Sequence, residues 1–144
     1  VHIRIFFDRV FAEYLFENPE MLSSMRILPG WLDWYSDDLA DASLAFQDRM
    51  REKLANDHAT LRRYDRDSLD AKTQVSYDML EYFLAIQQEG DRFRFHNYPL
   101  NQLFGLQNGL PTFMATQHQV KSEGEARDYI ARLGKFGQKF GQSM

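Results

Sequence analysis

The sequence contains no cysteine. Disulfides, thiolate nucleophiles and cysteine-based metal sites are therefore excluded, although exported proteins also do without disulfides, so the compartment stays open. No run of 18 apolar residues occurs, and no segment reads as membrane-spanning. The patterns H-E-x-x-H, G-x-S-x-G, Walker A and G-x-G-x-x-G are all missing. The net charge is −4. The acidic excess lies in residues 1–72, with 14 acidic and 10 basic side chains, against 7 of each in residues 73–144. No basic face emerges, which argues against nucleic acid as a partner. The opening "VHIRIFFDRVF" lacks a basic region followed by a long apolar run, so it is not a signal peptide. It also lacks an initiator Met and reads as the start of a processed form or an ordered fragment.

One absence is local. Asn97 to Val120, "NYPLNQLFGLQNGLPTFMATQHQV", has no Lys, Arg, Asp or Glu in a chain that is 26% charged. At average usage it should hold about six.

What is present is apolar and helical. Hydrophobic residues make up 44% and aromatics 15% of 144 residues, enough for a core. Residues 1–144 read as a single helical domain or a fragment of a larger helical domain. Phe7, Val10, Phe11, Tyr14 and Leu15 share one helix face. Asn18 and Pro19 open a short helix to about Arg26. "LPGWLDWY" is a turn followed by two tryptophans that need cover. Ser36 is expected to cap a longer helix, with Asp37 and Asp38 in its first turn and Leu39, Ser43, Phe46, Met50, Leu54, Asp57 and Leu61 along one face. Asp67 or Ser68 caps the next, whose stripe is Val75, Met79, Tyr82, Phe83 and Ile86 and which Gly90 ends.

Within the uncharged stretch, Pro99, Gly105, Gly109 and Pro111 break up any regular helix. A short helix around Asn101–Leu106, a turn at "NGLP" and a second short helix are expected, with a hairpin at "NG" as the other option. Ser122 and Glu125 form a capping box. The helix it starts carries Ala126, Tyr129, Ile130, Leu133, Phe136 and Phe140 on one side. Its repeat "KFGQKFGQ" offers a glycine pair where another helix can approach, or a fraying end. It stops without a capping signal, as a fragment of a longer protein would. The fold class is all-α, an irregular multi-helix array.

Catalytic candidates are thin. His2, His58, His96 and His118 show no ligand spacing. His58 lies among charged residues and reads as solvent-exposed. His96 and His118 flank the uncharged stretch and can meet in space, but no carboxylate accompanies them. Asp37, Asp38 and Asp41 suit a helix start. Asp65, Asp67 and Asp70 lack the glycine and distal glutamate of a calcium loop, and turn chemistry explains them. The uncharged stretch has two readings. It is buried between helices, with its amides satisfying irregular backbone, or it lines a cleft. In the second case Asn97, Tyr98, Asn101, Gln102, Gln107, Asn108, Gln117 and His118 are the substrate-cleft candidates, with Gln119 beside them and Phe104 and Phe113 as apolar contacts.

The segments "FFDRVFAEYLFENPEM", Leu69–Leu84 with "YDMLEYFL", "NYPLNQLFGLQNGLP" and "EARDYIARLGKF" together resemble a large bacterial family, domain of unknown function 885. The likeness spans nearly the whole chain and keeps the segment order. It implies an all-helical protein several times longer, commonly exported to the periplasm or cell envelope or lipid-anchored. The family is classed as zinc-peptidase-like because a later region carries His-Glu-x-x-Pro-Gly-His. No catalytic or metal residue carries over to this chain, so its own cofactors are none, and zinc belongs to the full-length family. The partners implied are the remainder of the parent chain and a peptide substrate. Two functions follow: a non-catalytic N-terminal segment that shapes the wall of a peptidase-like cleft, or a helical protein-interaction module.

Overall fold

The structure is a computed structural model that describes every residue except Val1, Gly30 and Asn97. The described residues form seven α-helices and two short 3-10 segments and no strand, so the fold is all-α. The helices are α1 (Ile3–Phe16), α2 (Pro19–Met25), α3 (Leu44–Leu61), α4 (Ala71–Gly90), α5 (Leu106–Thr116), α6 (Glu123–Gly134) and α7 (Phe136–Ser143). The chain divides into two compact units: residues 1–10 with 44–97, and residues 11–43 with 98–144.

The first unit is built on an αα-hairpin of α3 and α4. Pairing shows that the two run antiparallel: Arg51 meets Asp91, His58 meets Gln88, and Arg62 meets Glu81. A short connection between helices requires this direction. Asp65 caps the 3-10 turn at Arg66–Ser68, and Asp70, rather than Asp67 or Ser68, caps α4 by accepting from Thr73 N–H. Leu61, Tyr77 and Leu84 form the core with Ile3 and Phe6 of α1. The stripe Val75, Met79, Tyr82, Phe83 and Ile86 is on the wrong side of α4 and is exposed, Met79 by 68%. The helix has apolar residues nearly all round. The side facing α3 is chosen by polar partners as well, since Glu81 and Gln88 on that side both meet His58 of α3. In α1 likewise, Ile3, Phe6 and Leu15 are buried, while Phe11 and Tyr14 of the expected stripe are exposed.

His58 corrects the exposed reading. It is only 4% accessible, with Nδ1 3.0 Å from Gln88 Oε1 and Nε2 3.1 Å from Glu81 Oε1. Its charged sequence neighbours concealed acceptors on a helix more than twenty residues away. Buried Asp57 beside it is held by Arg9 at 2.9 Å and Lys53 at 2.8 Å.

In the second unit, α2 begins at Pro19 as expected. Asn18 does not cap it but donates back to Tyr14 O. No helix starts at Ser36. Asp38 N–H closes a turn on Tyr35 O, and α3 begins only at Leu44. Side chains take the backbone donors that a helix would have used. Leu39 N–H goes to Asp38, Ala40 N–H to Glu20, Ala42 N–H to Gln142 and Ser43 N–H to Asp41. Asp37 and Asp38 thus serve no helix start, and both approach Lys135. The two tryptophans find little cover: Trp31 is 80% exposed, and Trp34 packs edge-on against Tyr35 and tilted against Phe16.

The uncharged stretch also departs from expectation. There is a turn at 102–104, and then one helix, α5, runs through "NGLP" with Pro111 inside it. Proline removes one donor, which would have met Gln107 O. Gln107 is exposed, so water can replace that bond. The capping box holds: Ser122 Oγ accepts from Glu125 N–H at 3.2 Å, and Glu125 reaches back to Lys121 N–H. The helix after it breaks at Lys135 into α6 and α7. Ile130 and Leu133 face outward, and the buried positions are Arg132 and Lys139.

Candidate functional site

Arg132 is the centre of the second unit. Its side chain is fully buried, at 0% accessibility. Nε donates to Asp38 O at 2.7 Å; Nη2 donates to Tyr35 O at 3.0 Å, Ser23 Oγ at 2.9 Å and Pro19 O at 3.3 Å. Nη1 lies 2.8 Å from His118 Nδ1, and the guanidinium sits 5.1 Å from the Phe113 ring centroid. Burial depresses the pKa of Arg132, and the carboxylates of Glu20, Asp33, Asp37 and Asp38 oppose that. One side chain thereby ties together α2, the irregular 35–38 segment, the loop after α5, and α6.

This geometry assigns the His118 tautomer. Arginine has no acceptor, so Nδ1 must receive the Arg132 proton. Nε2 then carries the ring proton and donates to Glu125 O at 3.2 Å. Both nitrogens are occupied, and the ring stands edge-on to Tyr129 at 5.2 Å. His96 lies in the other unit, exposed and edge-on to Phe93.

A cavity of about 260 Å³ opens beside His118. Arg26, Asp33, Tyr35, Gln117 and Gln119 line it with Ser23. Arg26 ends α2 in a left-handed conformation (φ 47°), where glycine or asparagine is usual. Burial, then the Asp33 charge, raise the Tyr35 pKa. Asp128 is raised by burial and by Asp33 and Asp37.

A second, more open groove of about 390 Å³ is walled by the uncharged stretch. Phe104, Leu106, Leu110 and Phe113 supply apolar surface from that stretch, with Tyr14 and Met21 also in the lining, and Phe104 is 90% exposed. The charged side chains at its edge, Glu20 and Lys139, are paired with each other.

The candidates read from the sequence separate into groups. Asn97 lies outside the described residues. Tyr98 is exposed. Asn101 accepts from Leu103 and Phe104 N–H and donates to Tyr98 O. Gln107 donates to Asn101 O, and Asn108 to Gln102 O. These amides clamp the turn before α5, whereas Gln117 and His118, with Gln119 beside them, line the polar cavity. The sequence reading missed Arg132 because a basic residue in an amphipathic helix normally faces water. The irregular acidic segment before α3, with its many backbone carbonyls, was the only sign of a cation to be satisfied.

Among the described residues no group of three or more His, Asp or Glu is arranged to hold a metal. The ring nitrogens of both buried histidines are already engaged, so these residues do not fit a zinc site. No helix among the described residues is long and apolar enough to cross a membrane. No curated protein and no solved structure matches the chain. The family model described as "Bacterial protein of unknown function (DUF885)" matches residues 19–144, and the chain belongs to that family.

Proposed function

We propose that this chain is a non-catalytic helical segment of a zinc-peptidase-like protein, and that its uncharged stretch forms a wall for a peptide. The observation that carries this reading is the groove bounded by Phe104, Leu106, Leu110 and Phe113, whose edge charges neutralise each other. Such a surface accepts apolar side chains without desolvating an unpaired charge. The amides of Asn101, Gln107 and Asn108 hold the turn before that wall in shape. Zinc chemistry, in this reading, comes from other residues of the full-length protein.

The test is made in the full-length protein. Phe104→Ala should raise KM for an apolar peptide about tenfold, as expected for one lost apolar anchor, with an unchanged melting temperature. Asn101→Ala should lower the melting temperature instead. Peptide binding and turnover unaffected by Phe104→Ala would remove the groove from the site.

A second reading, a protein-interaction module, is favoured by the exposed stripe of α4, where Val75, Met79, Tyr82 and Phe83 form an apolar face. Substituting Met79 and Tyr82 by Glu should abolish a co-purifying partner under this reading and leave it in place under the first.

A further inference from the structure

We propose that the cavity beside His118 binds a small zwitterion, a free α-amino acid with an uncharged polar side chain. It is separate from the groove and does not rest on the peptide reading. The cavity is about 260 Å³, at the small end for ligand sites and suited to a molecule of this size. Its lining carries Arg26 and two carboxylates, Asp33 and Glu125, and the Glu125 carboxylate is already taken by the Lys121 backbone N–H of the capping box, which leaves Arg26 and Asp33. Neither makes a side-chain hydrogen bond or ion pair among the described residues, whereas most arginines here are paired. A planar guanidinium matches a carboxylate in two-point fashion. A carboxylate takes an ammonium by the same complementarity.

The remaining groups fit the same ligand. Ser23 Oγ accepts from Arg132, which leaves its hydroxyl proton free to donate into the cavity. Tyr35 is buried against the cavity. Gln117 and Gln119 bring amides that donate and accept, which suits a neutral polar side chain. His118 cannot compete for the ligand's charges, because Arg132 and Glu125 O hold both of its nitrogens. The same contacts fix the floor of the cavity before any ligand arrives, which lowers the ordering cost of binding.

The experiment is calorimetric titration of the full-length protein with L-serine, L-threonine, L-asparagine and L-glutamine. Each is compared with its N-acetyl form, which lacks the ammonium, and its carboxamide, which lacks the carboxylate. At least one free amino acid should bind ten or more times tighter than both of its blocked forms. Arg26→Gln should abolish the preference over the carboxamide, and Asp33→Asn the preference over the N-acetyl form. Arg26→Lys should retain part of it. Both positions are exposed, so unfolding curves should confirm that the variants stay folded. No binding by any of the four amino acids, blocked forms binding as well as free ones, or affinity unchanged in both variants would each overturn the proposal.

Discussion

Arg132 Nη1 donates to His118 Nδ1 across 2.8 Å, with no water-exposed surface on the arginine. A buried guanidinium is tolerable only when its donors are met. Here three backbone carbonyls, one hydroxyl and one imidazole meet them. Arg132→Ala would leave those acceptors unpaired in the interior. Removing one side of such an arrangement costs about 3–5 kcal/mol, and urea unfolding should show a loss of that size. Arg132→Lys keeps the charge but not the fork, and should fall between the two.

His118 is the other half of that pair. His118→Phe removes the acceptor for Nη1 and the donor to Glu125 O while keeping the ring's contact with Tyr129. An unsatisfied buried donor costs about 1–3 kcal/mol. A change smaller than about 0.5 kcal/mol, the range of surface substitutions, would mean that Arg132 does not depend on the imidazole.

His58 and Leu84 test the face of α4. Leu84 is fully buried, and Leu84→Ala should destabilise by about 2–5 kcal/mol. His58→Ala should cost about 1–3 kcal/mol through the bonds lost to Glu81 and Gln88. Met79→Ala, on the exposed side, should change stability by no more than about 0.5 kcal/mol. The reverse ranking would restore the stripe that the sequence suggests.

These residues show what the sequence can and cannot disclose. Helix content was legible because spacing at threes and fours and local caps act within a few residues. Pro19, Gly90 and the Ser122–Glu125 box all stand where expected. The choice of face was not legible. In α4 both sides are apolar, and the partners on α1 and α3 decide between them. The missing helix start at Ser36 has the same origin: Glu20 and Gln142 take backbone donors from far along the chain. The candidate cavity was half legible. Gln117 and His118 stood out for their uncharged setting. Arg26, Asp33 and Arg132 looked like ordinary surface charges until folding brought them together.

Asp70 gives a pH signature. The Thr73 hydroxyl and backbone N–H, and then Arg4, hold its carboxyl down to about 2 from the ordinary 3.8. A folded-state value below the unfolded one means that the stabilisation is complete above the ordinary value and is lost as pH falls through about 2. Asp70→Asn can still cap Thr73 N–H but cannot titrate. The wild-type advantage over Asp70→Asn should therefore shrink between about pH 4 and about pH 2, measured by thermal unfolding. An advantage constant with pH would show that the carboxylate charge adds nothing to the cap.

Gly105 and Gly137 stand in opposite local environments. At Gly105 an added Cβ would run into the backbone of Asn101 and the side-chain oxygen of Gln107, the groups that clamp the turn before α5. Gly105→Ala must push that turn open, and overpacking of this kind costs about 1–3 kcal/mol. At Gly137 in α7 a Cβ would meet nothing within 4 Å. The repeat "KFGQKFGQ" therefore offers no close approach within this unit. Alanine there should stabilise by about 0.4–1 kcal/mol, since its backbone conformation suits alanine and alanine leaves the unfolded chain less freedom to lose. Unfolding of both variants separates the cases. Destabilisation by Gly137→Ala would mean that another part of the protein packs against that face of α7.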